Sequence, residues 1–249
     1  MIRVERNQFA KTIAAIPLCL VLSSFSLLSE PEKIDVISLF IHHLFGTMSL
    51  DTHGTFLLVM ENMLFLLLFQ LLFADHISRH VRLGGVYILS RVQSRNRWYF
   101  SRILELTGYA SLYVLFYFLT LLWVSARRST LPVNMSQFSM VVLLWMLSVL
   151  LAIQISTITN LAALYRGTAV AVFAVMCGFV ILIMHAVIGN SIPAMRWLNP
   201  MACLGLLYAP TYQQVWMITY HVLLTIITQL VGAQIIQHYD IALFDAETK

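Results

Sequence analysis

The stretch "SRHVRLGGVYILSRVQSRNRWYFSRILE", Ser78 to Glu105, carries six arginines and a single acid. The runs on either side of it are apolar and long enough to cross a bilayer, which takes about 20 mostly apolar residues. Charge is scarce elsewhere: of 249 residues, 60% are hydrophobic and only 10% charged, with a mean hydropathy of +0.84. Soluble domains carry about 25% charged residues. The chain therefore reads as one integral membrane domain, 1–249, with six of its fifteen Lys and Arg residues in one short connection.

Outward from that connection, six stretches qualify as spans: Phe9–Leu28, Thr55–Ala74, Leu104–Ala126, Gln137–Ile158, Thr168–Ile188 and Val215–Ile236. The expected fold is all-α with six transmembrane helices. Arg3, Arg6 and Lys11 before the first apolar run also suit a signal peptide, but no A-x-A site follows, so this run is read as a span. An even number of spans puts both termini on one side. Eleven of the fifteen Lys and Arg residues then share that side, which the positive-inside rule assigns to the cytoplasm. Trp98 and Tyr99 fall at the inner border of the third span, and Trp123, Trp197, Tyr212 and Trp216 at outer borders.

Two outer segments exceed a plain turn. In "SEPEKIDVISLFIHHLFGTMSLDTHG", Ser29–Gly54, the residues Ile34, Ile37, Ile41 and Leu44 share one helical face, as in a short interfacial helix. "GNSIPAMRWLNPMACLGLLYAPTYQQ", Gly189–Gln214, is broken by three prolines and suits a short re-entrant or interfacial helix.

The spans hold few polar groups. Glu61 is the one acid well inside a span, and such a charge marks function or a buried pair. His221, Thr225, Thr228 and Gly232 form a stripe on the last span with Gln229 beside it. It should face protein or water, either bonding between helices or lining a path. Glu61, His221, Thr225 and Gln229 are thus the candidate path residues. Gly167, Ala171, Ala174 and Gly178 form a small-residue stripe suited to close helix packing, within the chain or with a second copy.

Several chemistries are excluded. His42, His43, His53 and Asp51 make a poor metal site, because adjacent helical histidines diverge by about 100°. Cys19, Cys177 and Cys203 have no metal or redox spacing. There is no phosphate-binding G-x-x-x-x-G-K-[ST] loop, no H-E-x-x-H pair and no G-x-S-x-G elbow. No catalytic residue, metal or bound cofactor is expected, and the basic balance is assigned to membrane topology rather than to nucleic acid.

The arginine segment has the pattern of structure. After Gly84 and Gly85, Val86, Leu89 and Val92 share one helical face, and Arg91, Arg95 and Arg102 another. This predicts an amphipathic cytoplasmic helix that turns at Ser94–Asn96 into the third span, with Arg102 and Glu105 paired across one turn. Such a segment can anchor to anionic lipid or dock a partner.

The layout resembles ABC-2 type transporter permeases. "LSRVQSRNRWYFSRIL", Leu89–Leu104, is similar to the basic, aromatic-ended stretch that this family places before its third span. "WLNPMACLGLLY", Trp197–Tyr208, is similar to the Asn-Pro element between its last two spans. The resemblance implies a compact permease subunit in a bacterial plasma membrane, exporting a small peptide, antibiotic or lipid-like substrate. It implies a cytoplasmic ABC ATPase that holds ATP and Mg, and a second permease subunit, alike or similar. It also implies that Arg91, Arg95, Arg97, Trp98 and Tyr99 couple to the ATPase. The readings from other classes are a membrane scaffold or assembly factor and an ion-coupled secondary carrier using Glu61.

Overall fold

A computed structural model describes residues 10–11, 13–21, 35–37, 40, 64–81, 94–129, 138–188 and 211–239. Among these, every regular element is an α-helix. We label them α1 (13–21), α2 (Leu64–Val81), α3 (Arg95–Arg128), α4 (Phe138–Arg166), α5 (Thr168–Ile188) and α6 (Thr211–His238). Four of them, α2, α3, α4 and α6, are long and apolar enough to cross a membrane, and α5 is apolar over Thr168–Leu182. Glu61, Arg91, the segment 82–93 and most of both outer segments lie outside the described residues.

The third span starts earlier than its apolar run. Ser94 caps α3 with extended backbone, its hydroxyl accepting from the Arg97 amide at 3.4 Å, and 34 helical residues follow. At 1.5 Å per residue that is about 51 Å, well beyond a hydrocarbon core of about 30 Å. Its exposed apolar stripe, Phe100, Leu104, Leu112, Leu115, Leu119 and Trp123, marks the part suited to lipid. From Phe100 to Trp123 this covers about 34 Å of helix. Arg127 lies over the Trp123 ring at 5.5 Å, a cation–aromatic pair at the far border. The polar first turns, Arg95–Tyr99, are one helix with the span rather than a separate element.

An aromatic ladder joins α2 to α3. Phe65, Phe69 and Phe73 recur every four residues, as do Tyr109, Tyr113 and Tyr117, so each set lines one helical face. Phe65 stacks on Tyr117 and Tyr113 at ring separations of 4.4 and 5.1 Å, and Phe73 stacks on Tyr109 at 5.3 Å. Rising numbers on α2 meet falling numbers on α3, so the two helices are antiparallel. The Tyr113 hydroxyl donates to the Phe65 carbonyl at 2.9 Å, satisfying a phenol buried in the ladder.

The helix α4 is the centre of the bundle and packs against α3, α5 and α6. Seventeen of its residues are buried, from Val141 to Leu164. It runs to Arg166, eight residues past the end that hydropathy suggests, because Thr159 and Asn160 bond inside the bundle rather than end the helix. Gly167 ends it with φ of 85°, a conformation that a β-carbon disfavours, and α5 begins at once.

Candidate functional site

Polar groups gather at one end of the bundle, where α3 begins and α2, α4 and α6 finish. The helix α2 is broken there, at Ala74–Asp75. In an unbroken helix the Ile77 amide would donate to the Phe73 carbonyl. The side chain of Asn160, from α4, stands between them instead. Its Oδ1 accepts from the Ile77 amide at 2.7 Å and from the Ser78 amide at 3.3 Å. Its Nδ2 donates to the Phe73 carbonyl at 3.2 Å and to the Ser156 carbonyl at 2.9 Å. Lys11 covers the next carbonyl, donating from Nζ to Leu72 at 2.7 Å and to Asp75 Oδ1 at 3.0 Å. Irregular backbone at membrane depth persists only where its polar groups are satisfied in this way.

Beside the break, His76 is 1% exposed, with Nε2 3.5 Å from Glu105 Oε2, beyond good hydrogen-bond range. The same carboxylate oxygen accepts from Arg102 Nη1 at 2.6 Å, the pair expected from the sequence. The His76 ring meets Tyr109 and His80 edge-on.

A second network ties α3 and α4 to α6. The buried Tyr99 hydroxyl donates to Gln229 Oε1 at 2.9 Å, and Gln229 Nε2 donates to Thr157 Oγ1 at 3.0 Å. Gly232 makes room for this: a β-carbon built there would stand 2.1 Å from the Tyr99 hydroxyl oxygen. Deeper in the bundle, Gln154 Nε2 donates to the His221 carbonyl at 3.0 Å and to Thr225 Oγ1 at 2.7 Å. Arg95 Nη1 donates to the carbonyls of Gln237 and Tyr239 at 3.1 and 3.2 Å, capping the end of α6. The order of these contacts sets α6 parallel to α4 and antiparallel to α3.

The chain matches no protein-family model, no curated protein and no solved structure.

The sequence-derived candidates thus separate. Arg97 is exposed and Trp98 half-buried, both at the charged end. Tyr99 is buried and Arg95 half-buried, and both hold α6. Thr225 and Gln229 bond to side chains of α4, and His221 receives the Gln154 side chain through its backbone carbonyl. Of the small-residue stripe, Ala171 is buried, Ala174 and Gly178 are exposed, and Gly167 is the turn. Over 168–182, the buried positions of α5 are Ala171, Met176 and Phe179, a different line on the helix. Asn160, Lys11, Asp75, His76, Gln154 and Thr157 were not singled out by sequence. Gln154, Thr157 and Asn160 share the stretch 154–160 with Ser156 and Thr159. Asp75 and His76 adjoin the end of an apolar run, and a polar residue in a span calls for a partner.

Proposed function

We propose that this chain is the membrane-spanning permease subunit of an ATP-binding cassette exporter in a bacterial plasma membrane. It has six spans and cytoplasmic termini, and it works as a pair with the same or a similar subunit. A separate cytoplasmic ATPase binds ATP and Mg and docks on the arginine-rich segment after α2. The cargo is a small peptide, an antibiotic or a lipid-like molecule.

The observation that supports this reading is mechanical. The two helices that flank the arginine segment are tied into the bundle at that same end, α2 by Asn160 and Lys11 and α3 by Arg95 and Tyr99. Displacement of the segment by a partner would therefore reach α4 and α6 directly. Arg97, exposed on the first turn of α3, is the described arginine best presented to that partner.

The commitment of Thr225 and Gln229 to bonds between helices favours a second reading, a membrane scaffold without transport. Purification of the full chain with the products of adjacent genes separates the two. A permease retains an ATPase, and in vesicles the complex moves substrate when ATP is supplied. A scaffold retains assembly partners, and ATP drives no transport.

A further inference from the structure

We propose that the break in α2 is a hinge, and that the Asn160 carboxamide is the latch that lets the helix pass between a broken and a continuous form. The observation is the substitution of one amide for another. Asn160 donates to the Phe73 carbonyl and accepts from the Ile77 amide, the two groups that would bond each other in an unbroken helix. Withdrawal of Asn160 leaves both groups facing each other, so the lost bonds are regained by closing one turn. A helix broken by proline has no such second state, because the missing N–H cannot be restored. The break in α2 contains neither proline nor glycine: the residues from Phe73 to Ile77 are Phe, Ala, Asp, His and Ile.

The two pieces of α2 are also held differently. The piece before the break is fixed to α3 by Phe65, Phe69 and Phe73 in the aromatic ladder. The piece after it, residues 76–81, is held at its backbone by hydrogen bonds to Asn160, with Ile77 and Val81 in the core and the His76 ring edge-on to Tyr109, and it leads into the arginine segment. His76, on this piece, has a buried imidazole whose nitrogens have no hydrogen-bond partner among the described residues, with Glu105 just out of range at 3.5 Å. A buried polar group left short of its partner marks a place where a small movement gains a bond. Swinging residues 76–81 toward α3 would supply it.

Distances between spin labels on the full chain, reconstituted in lipid with the native cysteines replaced, test this. One pair, at Arg79 and Tyr165, reports the piece after the break against α4. A control pair, at Leu71 and Met146, reports the piece before it. The hinge predicts two distances for the first pair and one for the control. Asn160→Leu, which keeps the number and branching of side-chain heavy atoms but has no amide, should leave only the second distance, displaced by more than the ~1–2 Å of ordinary helix adjustment. A single distance for the first pair in the natural chain, unchanged by Asn160→Leu, would overturn the proposal, as would equal movement of both pairs. If Asn160→Leu does not fold, the natural chain decides alone: two distances support the hinge and one overturns it.

Discussion

Tyr99 donates its buried hydroxyl to the side chain of Gln229, 2.9 Å away and 130 residues later in the chain. The family resemblance implies a docking role for the first of these, and the sequence reads the second as either bonding between helices or lining a path. In the folded chain they are partners, and the bond fixes the start of α3 to the last turns of α6. Its formation depends on Gly232, over whose Cα the phenol lies.

That dependence gives the first prediction. Gly232→Ala should destabilise the protein by about 1–3 kcal/mol, the usual cost of forcing extra volume into a packed core. Tyr99→Phe alone should cost about 1 kcal/mol, since it leaves the Gln229 oxygen without its donor. In the Gly232→Ala background the same change should cost less, because it also removes the closest clashing atom. Thermal unfolding of the four proteins in detergent measures this, and strictly additive effects would contradict the contact.

Asn160 should rank among the most sensitive positions in α4. Asn160→Leu removes the donor to Phe73 and the acceptor for Ile77; because these two groups can then bond each other, the loss should stay below the ~1–3 kcal/mol expected for each if left unpaired. Asn160→Asp sets a second oxygen against the Phe73 and Ser156 carbonyls in a buried site, so a larger loss is expected. Hydrogen exchange at the Ile77 amide provides a local reading. It should stay close to the natural rate in Asn160→Leu, and acceleration there would contradict closure of the turn.

How much of this was legible in the sequence depends on what each residue's partner is. The apolar runs announce helices without help from the rest of the chain, and the Arg102–Glu105 pair follows from spacing alone. The end assigned to the second span, Ala74, coincides with the break in α2, because Asp75 and His76 lower the hydropathy where the helix changes course. The apolar run of the third span starts at Leu104, whereas the turn expected at Ser94–Asn96 coincides with the cap of α3 at Ser94. Arg95 belongs to the helix, since the free carbonyls at the end of α6 are there to receive it. Asn160 carries no such local mark. Its role arises from a gap in a helix more than 80 residues earlier, which only the fold brings beside it. Of the small-residue line on α5 only Ala171 is buried within the chain, because periodicity identifies a line on a helix but not what lies opposite.

Arg95 and Arg97 should behave differently although they are two residues apart. Arg95→Ala removes the cap on the Gln237 and Tyr239 carbonyls, and a loss of about 1–2 kcal/mol is expected from hydrogen bonds made by a charged group. Arg97→Ala is exposed and should change stability by less than about 0.5 kcal/mol. Any effect of Arg97→Ala on transport would then be an effect on a partner. Comparing unfolding midpoints with transport in one set of membranes makes the separation.

Orientation is open to a simple chemical test. In a cysteine-free background, a cysteine at Ser129 should react with an impermeant reagent added to intact cells. One at Gln93 should react only after the membrane is opened. The reverse pattern would place the charged end of the bundle outside and exclude a cytoplasmic partner there.

The central claim is that the arginine segment seats an ATPase rather than only anchoring to lipid. Anchoring is roughly additive in charge and tolerates lysine for arginine, whereas docking depends on the planar geometry of the guanidinium group. Arg91 and Arg97 are the residues to change, because Arg95 also holds α6. Co-purification of the ATPase with each variant is the direct measurement. Arg91→Glu with Arg97→Glu should lose the ATPase, and Arg91→Lys with Arg97→Lys should retain measurably less than the natural chain, with the protein still abundant in the membrane in both cases. Full retention of the ATPase and normal transport by the charge-reversed protein would contradict the account and leave the segment as a membrane anchor.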